Sequence, residues 1–209
     1  MRNFENEFVN IKDNSGLVIN KRINYIKYDN SDCPNLFNVY NKWKELCESL
    51  KAMEKRTTNI PEAISECAVA ILNGYVFLNQ KSISANGEKI STSFDCFDPN
   101  SGDKIQVKAC STEKDLTSFG PRSKFDKLIF VDFYNDGERD GKFKVYDIPI
   151  TYIINAHVNS NQTITDQSNQ ARRPRISIKD IILNHNINGT QYMLTNNEIK
   201  KISEFICQK

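Results

Sequence analysis

Asp95, Gln106 and Lys108 have the types and the spacing of a metal-dependent site for phosphodiester hydrolysis. A divalent cation held there would polarise a phosphoryl oxygen and help convert a water into hydroxide. Hard cations such as magnesium take oxygen ligands, and few of them come from protein. Asp95 offers an anionic oxygen, Gln106 an amide oxygen and Val107 its main-chain carbonyl. Lys108 would place the attacking water and offset the charge that builds on the phosphoryl group.

These residues need a scaffold that brings them together, and the surrounding sequence supplies one. Ser93 to Ala109 reads as strand, turn, strand, with Pro99, Asn100, Ser101 and Gly102 as turn residues between alternating apolar positions. If Phe97 faces Lys104, the antiparallel ladder continues to set Asp95 opposite Gln106. Side chains alternate between faces along a strand. Asp95, Gln106 and Lys108 then share one face, and Phe94, Cys96, Ile105, Val107 and Ala109 share the other. A slip of one residue would undo this, so the register is the assumption to test. Glu66 is the fourth candidate ligand: it lies one helical turn after Glu62, in a predicted helix just before the strands. Spacing alone leaves a plainer reading open, because alternating charge on a strand is usual for a solvated face. Asp98, Asp103 and Glu113 read as loop charges, while Asp115 and Asp132 are harder to dismiss from a site.

The helix bearing Glu66 is predicted with Asn59 as its cap, Pro61 in its first turn and Asn73-Gly74 as its stop, burying Ile64, Cys67, Ala68, Ile71 and Leu72. Before it, Leu36, Tyr40, Trp43, Cys47 and Leu50 recur at steps of three and four, which predicts a helix from Leu36 to about Lys55. Residues 1–33 read as an N-terminal arm or strand. Strands are expected at Tyr75–Leu78, Leu128–Phe133 and Phe143–Ile148, with hairpin turns at Asn86-Gly87 and Asp140-Gly141. The segment after Lys108 reads as a polar loop, residues 151–156 as a short helix and residues 158–175 as a long polar loop. Thr195-Asn-Asn-Glu198 resembles a capping box and predicts a C-terminal helix within 187–209, burying Ile199, Ile202, Phe205 and Ile206. The expected division is one domain over 1–209, with the arm at 1–33, a catalytic and DNA-binding core at 34–186 and the helix at 187–209.

A formal charge of +2 excludes a bulk polycation, so any nucleic-acid surface must be a local patch. No apolar run approaches the roughly 20 residues of a membrane helix. The N-terminus has no apolar signal segment. Six cysteines without CxxC spacing read as small buried hydrophobes of a reducing compartment, which suggests a cytoplasmic protein. Two histidines, His157 and His185, lie far from any cysteine pair, so zinc is not expected; both read as structural or surface residues. The patch itself is visible in Gln167 to Lys179, where Arg172, Arg173, Arg175 and Lys179 follow one another without an acid between them. Arginine suits guanine edges and phosphates, and Asn and Gln suit adenine edges or phosphates. A second segment, Asp115 to Lys124, offers Ser118, Arg122 and Lys124 to a backbone phosphate.

Taken in order, these segments resemble a family. Ile60-Pro-Glu-Ala-Ile-Ser-Glu66, Ser93-Phe-Asp95, Ile105-Gln-Val-Lys-Ala109, Asp115-Leu-Thr-Ser-Phe-Gly-Pro121, Asp132-Phe133, Asn159, Asp166-Gln167 and Arg172-Arg-Pro-Arg-Ile-Ser-Ile178 are similar to the motif series of the Bsp6I family. These are small type II restriction endonucleases of the PD-(D/E)xK superfamily with GCNGC-type sites, and the likeness covers roughly residues 36–186. The resemblance implies an α/β fold with a PD-(D/E)xK restriction-endonuclease-like core, a mixed central sheet flanked by helices. It implies a magnesium-dependent enzyme, with manganese as a substitute, that cuts double-stranded DNA as a homodimer beside a protective DNA methyltransferase. Asp95, Lys108 and Glu66 fall on the superfamily's aspartate, lysine and helix glutamate. Gln106 departs from the usual Glu or Asp, keeping the oxygen and losing a charge. Asn159 and Gln167 join the arginines as expected DNA contacts. The alternatives are a structure-specific repair or junction nuclease on the same fold, and a DNA-binding module with a dead site.

Overall fold

The N-terminal residues form a hairpin. Its strands are β1 (Glu5–Lys12) and β2 (Val18–Lys27), paired antiparallel from Glu5 opposite Tyr25 to Lys12 opposite Val18. Val9, Ile11, Ile23 and Tyr25 alternate inward and are buried, the period of two that makes a strand. The computed structural model describes residues 5–13, 15–78, 93–121 and 123–206. The expected Asn86-Gly87 turn lies outside the described residues.

Two helices follow, α1 (Cys33–Ala52) and α2 (Glu62–Asn73). The predicted apolar stripe on α1 is buried through Leu36, Tyr40, Trp43 and Cys47. Helix α2 ends where Gly74 adopts the left-handed conformation. Its cap position is Pro61 rather than Asn59, because Asn59 is occupied elsewhere. Ile64 and Ala68 are buried as expected, together with Ser65, Val69 and Ala70, while Cys67, Ile71 and Leu72 pack only partly against the core.

The remaining large strands are β3 (Val76–Leu78), β4 (Cys96–Phe97), β5 (Lys104–Cys110), β7 (Lys127–Asp132) and β8 (Lys142–Ile148), then β12 (Asn188–Leu194) and β13 (Ile199–Ile206). With the N-terminal hairpin they make one nine-stranded sheet, ordered β1-β2-β3-β4-β5-β7-β8-β12-β13. Every neighbouring pair is antiparallel except β5 and β7, so the sheet is mixed. Helices α1 and α2 cover one face, against Ile105, Val107, Ile129, Val131 and Phe143. The other face, with Leu128, Phe130, Tyr146 and Ile148, is covered by α3 (Ile150–Ile154), α4 (Ile164–Asn169) and α5 (Ile178–His185). Among the described residues no helix is long and apolar enough to cross a membrane.

Three expectations are corrected. First, the polar segment after Lys108 contains a short strand, β6 (Thr117–Ser118), paired with β11 (Arg175–Ile176). Second, residues 158–175 are not a long loop. They hold β9 (His157–Asn159), β10 (Gln162–Thr163) and α4, whose start is fixed by a capping box between Thr163 and Asp166. Third, the C-terminus is a β-hairpin and not a helix. Thr195 caps a turn: its hydroxyl accepts from the Asn197 and Glu198 amides and donates to the Glu198 carbonyl. The helix-like spacing of Ile199, Ile202 and Phe205 comes from a bulge. Ser203 pairs with Gln191 and Lys201 with Tyr192, so Ile202 is the extra, exposed residue. The Ile206 side chain lies outside what is described.

Candidate active site

The β4–β5 hairpin positions the site, and its register is the one expected. Phe97 pairs with Lys104 and Cys96 with Ile105. Phe97 and Ile105 are fully buried, each worth about 1.5–3 kcal/mol. A slip of one residue in β4 would swap the faces of Cys96 and Phe97, and one in β5 those of Ile105 and Gln106, so packing on both faces locks the register. At the turn, Gly102 has φ +77 and passes so near Ile11 that a Cβ would lie 2.9 Å from its Cα. That approach lets the Lys12 amide donate to the Gly102 carbonyl at 3.0 Å and ties the hairpin to β1.

Asp95 stands one residue beyond the paired part of β4, its amide donating to the Ile105 carbonyl at 2.9 Å. Its Oδ2 accepts hydrogen bonds from the Gln106 side-chain amide and from the Val107 main-chain N–H, the latter at 2.7 Å. Gln106 is buried and Lys108 half-buried. Cys96, Ile105 and Val107 pack into the core under α1 and α2 as expected. Phe94 does not join them: the chain bends at Phe94 and Asp95, and its ring packs with Phe97, Val76 and the N-terminal hairpin.

Helix α2 brings Glu66 to the same place. Its carboxyl is half-buried and within electrostatic reach of Asp95, Glu62 and Lys108. Burial, then the charge of Asp95, pushes its pKa up to about 7. Burial raises Asp95 as well, opposed by the Val107 N–H and the Lys108 ammonium. Among the described residues neither carboxylate has an ion-pair partner. Two neighbouring carboxylates with no ion-pair partner among the described residues suit a hard cation. Among the described residues no group of three or more His, Cys, Asp or Glu could hold a metal. A cation here would meet two carboxylates, with Gln106 and Val107 beside them. That fits an ion that keeps several waters.

The raised carboxyls have a consequence for stability. A folded pKa above the unfolded value means the native state holds more protons between the two, so stability falls as pH rises through that window. For Glu66 the window runs from its ordinary 4.5 to about 7. Without divalent metal, the protein should lose about 1–2 kcal/mol over it, allowing for solvent screening of a half-buried group. Denaturant melts of Glu66→Gln should show a flatter profile; identical pH dependence in both proteins would contradict the burial of this charge.

One positioning residue escaped the sequence reading. The Asn59 side chain donates to the Ala109 carbonyl at 3.1 Å and accepts from the Ser111 amide and hydroxyl at 2.9 Å each. The Ile60 amide donates to Ser111 Oγ at 3.0 Å. This clip fastens the start of α2 to the end of β5, and so sets Glu66 relative to Lys108. Only its place beside a proline-started helix hinted at a role, and that hint pointed to a cap.

Of the expected DNA contacts, Arg172, Arg173, Arg175, Lys124 and Asn159 are exposed. Ser118 pairs with Arg175 across the β6–β11 ribbon. Ser118 also lines a cleft of about 180 Å³ that holds Lys108 and Glu62. Gln167 is half-buried and donates to the Gln162 side chain at 3.3 Å. Lys179 is not free: its ammonium pairs with Asp132 at 2.9 Å and donates to the Thr112 carbonyl at 2.8 Å. Arg122 lies outside the described residues. Asp132 is thus a structural partner, and so is Asp115, which accepts from Ser177 Oγ and from the Ile178 and Lys179 amides at the start of α5.

Comparison with known proteins accords with this geometry. A family model described as Bsp6I restriction endonuclease matches residues 28–185. The chain is 32% identical over 165 residues to the type II restriction enzyme Bsp6I of Bacillus sp. (strain RFL6), covering 78% of this chain and 87% of that protein. No solved structure matches it. The crowded carboxylates, the lysine two residues beyond the amide and the matched span lead to one assignment: the chain belongs to the Bsp6I restriction endonuclease family.

Proposed function

We propose that this protein is a type II site-specific deoxyribonuclease that cuts double-stranded DNA at a short palindrome of the GCNGC type. It acts as a single nuclease domain on a PD-(D/E)xK core, in the cytoplasm, as a homodimer whose two-fold axis matches the palindrome. A DNA methyltransferase protects the host's own sites. The observation that carries the reading is the meeting of Asp95, Gln106 and Val107 at one hydrogen-bonded corner, with Glu66 and Lys108 in electrostatic reach.

Asp95, Glu66, the Gln106 amide oxygen and the Val107 carbonyl would hold magnesium, or manganese in its place. The bound ion supplies Lewis acidity and a more acidic water. Asp95 contributes the fixed anionic oxygen, kept in place by two donors. Glu66 contributes a carboxylate whose raised pKa makes it ready to take a cation or a proton near neutral pH. Lys108 orients the attacking water and offsets charge on the phosphoryl oxygens. The exposed Arg172, Arg173 and Arg175 hold the phosphate backbone and reach bases. Digestion of mapped DNA with and without magnesium, followed by fragment-end sequencing, tests the reading. Discrete ends at one palindrome are expected; random ends, or none, would remove it.

Gln106 makes a further prediction. Gln106→Glu adds a unit of negative charge beside Asp95. Half-maximal cleavage should then need roughly tenfold less magnesium, the equivalent of about 1.4 kcal/mol and the lower part of the range for unit charges in contact. Without metal the same variant should melt lower, since two buried carboxylates would face each other. A metal titration followed by both activity and melting checks each half.

A further inference from the structure

A second cavity, of about 840 Å³, lies next to the smaller cleft that holds Lys108. It opens between α3, β9, β11 and α5, and its wall carries Asn155, His157, Arg175, Asn184 and His185. Its rim includes Leu116, an exposed leucine that also lines the smaller cleft holding Lys108. The two cavities therefore share a border. The β6–β11 ribbon spans that border: Ser118 lines the cleft that holds Lys108, and its ladder partner Arg175 lines the larger one.

We infer that this cleft reads the bases of the DNA next to the cut, with Asn155, His157 and Asn184 as readers beside Arg175. The inference rests on the nuclease reading above and extends it to residues outside the arginine cluster. Three observations support it. The readers are exposed, and among the described residues their side chains make no hydrogen bond to the protein, so their donors and acceptors are free for a ligand. Neighbouring polar groups contrast with them: Asp115, Ser177 and Lys179 are spent on holding β11 and α5. The wall combines amides, imidazoles and one guanidinium, which suits base edges presenting both donors and acceptors better than a phosphate track built of lysines. Asp180, also on the wall, is the one acid there and would accept from an amino group such as that of cytosine.

The test uses the full-length protein and the cognate site found by the digest. His157→Ala, Asn155→Ala and Asn184→Ala are measured for kcat/KM on that site and on sites with one base pair changed, with anisotropy on unrelated duplex DNA. Each variant should lose about 10- to 100-fold on the cognate site while binding unrelated DNA as the wild type does. Thermal melts show whether each variant is folded, and Lys124→Ala, outside this cleft, should lower binding to all DNA alike. Unchanged discrimination in all three variants would overturn the inference, as would a uniform loss on every DNA. Failure of the wild type to cut at any fixed site would instead sink the nuclease reading, so the two failures are told apart.

Discussion

Lys108→Ala is expected to lower the rate of DNA cleavage by about 100- to 1,000-fold or more, while binding of the same duplex changes little. The size follows from removing a charge that the proposed mechanism aims at the transition state. Binding should survive because the arginines proposed to grip the duplex lie on β11 and the segment before it. Lys108 is half-buried and its charge acts on Asp95 and Glu66, lowering the pKa of both. Its loss should therefore also raise the pH at which the remaining activity appears. Lys108→Arg keeps the charge but replaces a compact ammonium with a wide planar fork, so it should recover little. Single-turnover cleavage with anisotropy on the same oligonucleotide is the measurement. Wild-type rates in the alanine variant would refute the assigned role.

Asp95→Asn should be at least as damaging to activity and should have the opposite effect on the metal-free fold. The carboxylate is raised by burial and has no cation paired with it among the described residues. Making it neutral removes a desolvated charge, so the variant should melt at or above the wild type without metal. With magnesium the order should reverse. A ligand present at 100 times its dissociation constant stabilises a fold by about 2.7 kcal/mol, and the variant should lose most of that gain. Thermal melts with and without magnesium separate the two effects. A variant that keeps the metal-induced rise would show that Asp95 is not a ligand.

Much of the site was legible in the sequence because it is local. Two strands joined by a short turn pair Phe97 with Lys104 and Cys96 with Ile105, and that register delivers Asp95 to Gln106 across a dozen residues of sequence. Helix α2 was legible for a similar reason, since its apolar period and its Gly74 stop lie within a few residues of each other. The family likeness rested on these segments and on others further along, from Asp115–Pro121 to Arg172–Ile178.

What the sequence by itself determined is the set of chemical groups, the β4–β5 register and the two helices above it, all governed by contacts between near neighbours. Tertiary structure alone decided the rest. The C-terminal segment looks helical at steps of three, and it is a strand because β12 offers an edge to pair with and a bulge absorbs Ile202. The polar stretch after residue 157 is ordered because β6, more than fifty residues earlier, pairs with β11. Lys179 reads as a DNA contact until Asp132, at the end of β7, is found to hold it. Asn59 reads as a cap until the end of β5 comes within its reach. In each case the deciding partner is distant in the chain, and a pattern read along a single segment carries no record of it.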